Sequence, residues 1–136
     1  MIRLSELIGQ PTVSLADAET TGAVRGIVTD ADRVVAVHNG QGLIDAASIR
    51  SFEGDVVTYD GEPRAADRGA DSPLGRRVLD TDGDELGQLA DLHIDPTGRV
   101  DVVVLGDGRT VAGAALRVIG SYAVILAANP DTTLTR

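Results

Sequence analysis

The order of turns and apolar runs in the first 59 residues recurs after Ser72, shifted by about 65 positions, and a repeat at fixed spacing narrows the possible architectures more than any other feature. The second copy is the clearer. Between Leu74 and Val104, the turn signals Asp82-Gly83 and Asp95-Pro96-Thr97-Gly98 separate three segments rich in Val, Leu and Ile, the pattern of a small antiparallel meander. Gly9 corresponds to Gly75, Val13 to Val78, Asp17 to Asp82, Gly22 to Gly87, Val24 to Leu89, Ile27 to Leu92 and Asp30 to Asp95. Further on, Arg33-Val34 matches Arg99-Val100, Asn39-Gly40 matches Asp107-Gly108, and Ala47 to Arg50 matches Ala114 to Arg117. These positions fix backbone geometry and core packing, so the copies are expected to share a fold without necessarily sharing a site.

Within the first copy, Leu4 to Gly9 reads as a helical turn capped by Ser5 and stopped by Gly9 and Pro11. Strands are expected at Thr12 to Leu15, Gly22 to Asp30, Val34 to Val37, Gly42 to Asp45 and Asp55 to Tyr59, with a helical turn at Ala46 to Ser51. Many short strands joined by tight turns predict an all-β fold with minor helical turns, built as two small antiparallel barrels in tandem. The expected boundaries are 1–60 for the first barrel, 61–72 for an exposed linker, 73–128 for the second barrel and 129–136 for a frayed tail.

Hydrophobic residues make up 43% of the chain, enough for a core, but aromatics only 2%, so that core must be aliphatic. Domains of about 60 residues bury only about 60% of their unfolded surface, so the copies are expected to share an interface or to self-associate. A net charge of −9 disfavours nucleic acid, whose binding depends on clustered Lys and Arg. Every basic residue other than His is Arg, and with abundant Ala, Gly, Asp and Val this points to a GC-rich bacterial genome. The absence of Cys excludes disulfides, thiolate metal sites and a Cys nucleophile. No apolar run approaches the ~18 residues of a membrane span, and Met1 to Leu4 lacks the start of a signal peptide, so a cytoplasmic protein without membrane insertion is expected.

The order L-G-x-x-V, D-x-D-G-D-E-L-G-x-L-x-D-L-x-I-D, a turn, a Val-rich strand and A-A-L-R-V-I-G-S-Y-A-V-I-L resembles the PRC-barrel domain. That domain is found in the cytoplasmic part of the photosynthetic reaction-centre H subunit and at the C-terminal end of a ribosome maturation factor. The resemblance is close over Ser72 to Ala127 and looser over Met1 to Tyr59, and it implies a barrel that docks other proteins or itself. The membrane helix of the former protein and the different preceding barrel of the latter have no counterpart in this sequence, so neither role and no functional residue is carried over.

Several constellations invite chemistry. Asp80, Asp82, Asp84 and Glu85 look like the start of a calcium loop, but Gly83 precedes the third acid, and the twelfth position from Asp80 is Asp91, within an expected strand. A solvated turn accounts for the same residues. Asp91, His93 and Asp95 alternate on one strand face, but adjacent same-face positions lie about 7 Å apart, so a metal would need a neighbouring strand. His38 belongs to the other copy. No G-x-S-x-G occurs, and Gly40-Gln41-Gly42 and Gly106-Asp107-Gly108 lack the helix and Lys of a phosphate loop. Phe52, Tyr59 and Tyr122 are too scattered to stack bases, and Phe52 and Tyr122 are expected in the core. Arg50 and Arg117 are expected to pair with turn acids.

No catalytic, cofactor or metal residue is therefore assigned. The expected function is non-enzymatic: an adaptor acting through an unknown protein partner or as a homo-oligomer. Two alternatives remain, an accessory factor in ribosome assembly that binds a ribosomal protein, and a metal or ligand sensor working through the acidic turn.

Overall fold

The aliphatic runs become strands in a computed structural model that describes residues 1–52, 54–65, 71–128, 130 and 132–134. In chain order the first half holds β1 (Ile2–Arg3), the single-turn helix α1 (Leu4–Leu7), β2 (Pro11–Ser14), β3 (Thr20–Ala23), β4 (Gly26–Asp30), β5 (Arg33–His38), β6 (Leu43–Asp45), a 3-10 turn (Ala46–Ser48), β7 (Ile49–Ser51) and β8 (Val57–Tyr59). The second half repeats the series from β2 onward, with one strand in place of β3 and β4, as β9 (Arg77–Asp80), β10 (Glu85–Ile94), β11 (Val100–Leu105), β12 (Arg109–Ala112), a 3-10 turn (Gly113–Ala115), β13 (Leu116–Ile119) and β14 (Ala123–Leu126), followed by β15 (Thr132–Leu134).

The all-β class holds, but the sheets do not close into barrels and are not purely antiparallel. β2 runs parallel to β8 and β9 parallel to β14, so each half brings an early and a late strand side by side in the same direction. The 3-10 turns carry the chain from β6 to β7 and from β12 to β13 without pairing those strands, so the ladders end at open edges. Sequence periodicity marks strands without naming their neighbours, which is why the parallel pairs were not foreseen.

The expected strand Gly22 to Asp30 is divided. At Val24 the N–H bonds Gln10 O, and at Arg25 the N–H bonds His38 O, so the chain changes partners there and begins a second sheet. In the second half the equivalent point is a bulge between Leu89 and Asp91 within one continuous β10, which joins β9 on one side to β11 on the other.

The linker and the tail also differ from expectation. Arg64 pairs with Leu43 of β6 through two backbone hydrogen bonds of 2.8 and 2.9 Å, and its guanidinium meets Asp45 at 2.8 Å. β15 pairs with β12, the counterpart of β6. Both segments thus return to the same edge of their own half. Residues 66–70 of the expected linker, and 129, 131, 135 and 136 of the expected tail, lie outside the described residues.

The halves meet around an approximate two-fold axis. Arg33 forms an antiparallel bridge with Arg99, its own counterpart 66 positions on. The Val34 N–H donates to Gly98 O at 2.8 Å, and the Val100 N–H donates to Asp32 O at 2.6 Å, bonds that the axis exchanges. One apolar core runs through both halves, with Leu4 and Leu7 of α1, Val34 and Val37 on one side and Leu92, Ile94, Val100 and Val103 on the other. β1 pairs with β10 to tie the N-terminus to the second half. Among the described residues no helix is long and apolar enough to cross a membrane.

Candidate docking groove

The acidic turn is built to hold itself together. Asp80 is 4% exposed, and one of its carboxylate oxygens accepts the N–H groups of Asp82 and Asp84 at 2.9 and 3.0 Å, while its own N–H bonds Asp84 O. That carboxylate is committed to fixing the turn between β9 and β10. Asp91 is likewise engaged, accepting the N–H and hydroxyl of Ser5 at 3.0 and 2.5 Å, so Ser5 is not the cap of α1. Asp95 folds the next turn, accepting bonds from Thr97 and Arg99. The Thr97 hydroxyl and the Arg99 N–H hold its carboxyl below the usual range. Asp107 is lowered in the same way, chiefly by the N–H of Arg109. His93 stands opposite Arg3 in the β1–β10 pair, where a cation would meet a positive neighbour. No group of three or more metal-ligating side chains converges among the described residues.

Of the two matched arginines, Arg50 forms an ion pair with Asp60, as expected, whereas Arg117 donates to Ala114 O and meets no acid there. Tyr122 is not in the core: it is 68% exposed, with Arg77 stacked over its ring. Tyr59, by contrast, is fully buried, and its hydroxyl lies 2.7 Å from that of Thr21.

What the structure brings together instead is a groove of about 380 Å³ between the halves. Leu7, Val34, Val37 and Ile94 form its apolar floor, Ala46 and the run Ile49 to Phe52 one wall, and Pro96, Thr97 and Gly98 the other. It exists because the two-fold relationship is imperfect. On one side of the axis β13 packs against β4; on the other, the equivalent strand β7 makes no comparable contact with β10. The exposures follow: Leu116 of β13 is fully buried while its counterpart Ile49 is half-buried, and Val34 is 8% exposed against 1% for Val100. Among the described lining residues Arg50 alone is charged. Such a groove is apolar below, with Arg50, ion-paired to Asp60, at its edge.

The groove escaped sequence reasoning because it depends on how two similar halves settle against one another. Its one legible trace is polar Ser51 standing where the second half has Val118.

The structure is thus a scaffold of two similar β units around one core, with an open groove and an edge strand beside it. The family model for the PRC-barrel domain matches residues 67–123. The second half is thus similar to the PRC-barrel domain. No curated protein matches it.

Proposed function

We propose that the chain is a non-enzymatic protein-interaction module whose first half is a divergent second copy of the PRC-type unit. The observation that carries this is the groove left open beside β7, where the other half is closed by its own strand. The repeated element order and the equivalent bonds of Gly9 and Gly75 to Val24 O and Leu89 O, both 2.8 Å, support common descent of the halves. The acidic surface favours a protein partner over nucleic acid. Affinity purification of the full chain from native lysate tests this: a stoichiometric protein partner is expected, and a monomer that returns no partner would contradict it. Sensing of a cation through Asp80 to Glu85 is the weaker proposal, since Asp80 is occupied by backbone N–H groups.

A further inference from the structure

We propose that the outer face of β9, β13 and β14 binds a second copy of this chain, turned by a two-fold axis so that the acidic β9–β10 turn of each copy meets the arginines at the β13–β14 turn of the other. The face shares no residue with the groove, so this goes beyond the docking proposed there and is tested apart from it.

A sheet with one face on the core ordinarily turns polar side chains to water on the other. The first half largely does so: its strand registers set Ser51, Thr58, Val13 and Thr20 in one row across β7, β8, β2 and β3. In the second half the corresponding row runs Val118, Ile125, Leu79 and Glu85 across β13, β14, β9 and β10. Val78, Val124 and Leu126 are buried on the inner face, so Leu79 and Ile125 beside them in the chain point outward. Three of the four members of this row are aliphatic, and none of the three is part of the apolar core. Val118 is 53% exposed, and Tyr122 in the turn that follows β13 is 68% exposed. Aliphatic side chains set side by side across three strands, with an exposed tyrosine at the margin, form the kind of patch that another surface covers.

Charge selects a second copy as that surface. Because β9 and β14 are parallel, the turn leaving β9 and the turn entering β14 stand at opposite ends of the sheet, and β10 and β13 place them on opposite sides. These diagonal corners carry opposite charge. At the first, Asp82 and Asp84 are exposed, and their carboxylates have no bonded partner among the described residues. At the second, Arg76 donates to Gly120 O and Arg77 to the Tyr122 hydroxyl, both at 2.8 Å, which gathers two guanidinium groups at the turn. Among the described residues Arg76 has no acidic partner, and Arg77 has Glu85 at 3.7 Å. A two-fold axis through the middle of the face exchanges its diagonal corners, so each copy's carboxylates fall on the other's arginines while the aliphatic rows cover one another. The net charge of −9 on each copy opposes this, but repulsion beyond about 8 Å is screened at physiological ionic strength, whereas the corner contacts are closer than that. Four strands spaced about 4.8 Å apart make a small face, at the low end of what holds a specific pair, so the dimer should dissociate on dilution.

Sedimentation velocity of the full chain, from micromolar to near-millimolar concentration, tests this. A reversible dimer is expected. Val118→Ser, which installs the residue of the first half, should raise the dissociation constant at least about fivefold, and Val118→Asp should leave the chain monomeric. Position 118 is exposed, so the Tm of both variants should stay close to that of the wild type. Asp82→Arg should weaken the dimer. Asp101→Arg makes the same charge change on β11, away from this face, and should not weaken it. A chain that stays monomeric at the highest concentration, a dimer indifferent to Val118→Asp, or equal weakening by Asp82→Arg and Asp101→Arg would each overturn the assignment. If the chain is monomeric yet captures a different protein from lysate, the interaction module stands and only the second copy is lost; if it is monomeric and captures nothing, both are lost.

Discussion

Arg33 and Arg99 face one another in an antiparallel bridge although each holds the same place in its own half. A contact between equivalent positions lies on a two-fold axis, so the chain is arranged like a symmetric dimer whose subunits have been joined. The symmetry is not complete. Asp32 forms an ion pair with Arg99 at 2.9 Å, whereas the matching place opposite Arg33 holds Gly98, with no side chain to answer it.

That asymmetry should be measurable as unequal core penalties. Leu116→Ala removes a fully buried side chain packed on the first half and is expected to cost about 2–5 kcal/mol. Ile49→Ala trims its half-buried counterpart at the groove wall and should cost about half as much or less. Urea denaturation of both variants checks this, and equal losses would contradict a groove open beside β7.

Gly113 should tolerate no side chain. A Cβ there would stand 1.8 Å from Val100 O, far inside contact distance. Gly113→Ala is expected to cost more than about 4 kcal/mol or to prevent folding. The counterpart Ala46 already carries a methyl group, so Ala46→Gly should cost no more than about 1 kcal/mol. Soluble yield and thermal melting distinguish the two.

The acidic turn should behave as structure. Asp80→Ala leaves two N–H groups without their acceptor and is expected to cost about 1–3 kcal/mol. Removing the exposed Asp82 carboxylate should change stability by no more than about 0.5 kcal/mol. Millimolar calcium should leave the Tm of the wild-type chain unchanged; a rise would restore the sensing function.

Acid should loosen the loops at Asp95 and Asp107. Both carboxyls are lowered from 3.8, so their stabilisation is fully present above the ordinary carboxylate pKa and is lost as pH falls through the lower folded value. Between pH 5 and pH 2, Asp95→Asn should lose less stability than the wild type. A wild-type pH profile that the substitution leaves unaltered would contradict this.

Much of the fold was legible because it rests on local chemistry: β-branched runs at Val34 to Val37, turn acids at Asp82 and Asp95, and glycines at matched places. Asn39-Gly40 was legible as a turn but not for its reach. The buried Asn39 side chain donates to Thr12 Oγ1 and Thr21 O and so joins two other strands, a tertiary role that no local pattern announces. Arg64 was read as linker because a single paired residue without an apolar neighbour has no periodicity to detect. The groove was illegible for a different reason. Ile49 and Leu116 are near-equivalent in sequence, and only the placement of β13 against β4 makes one buried and the other available.

The most direct test is hydrogen–deuterium exchange of the full chain, alone and bound to the protein that copurifies with it. Amides of residues 46–52 and 96–98 should become protected on binding, with β7 the most strongly affected. Protection confined to other surfaces, such as the acidic turn from Asp80 to Glu85, with 46–52 unchanged, would contradict the assignment of the groove as the docking site.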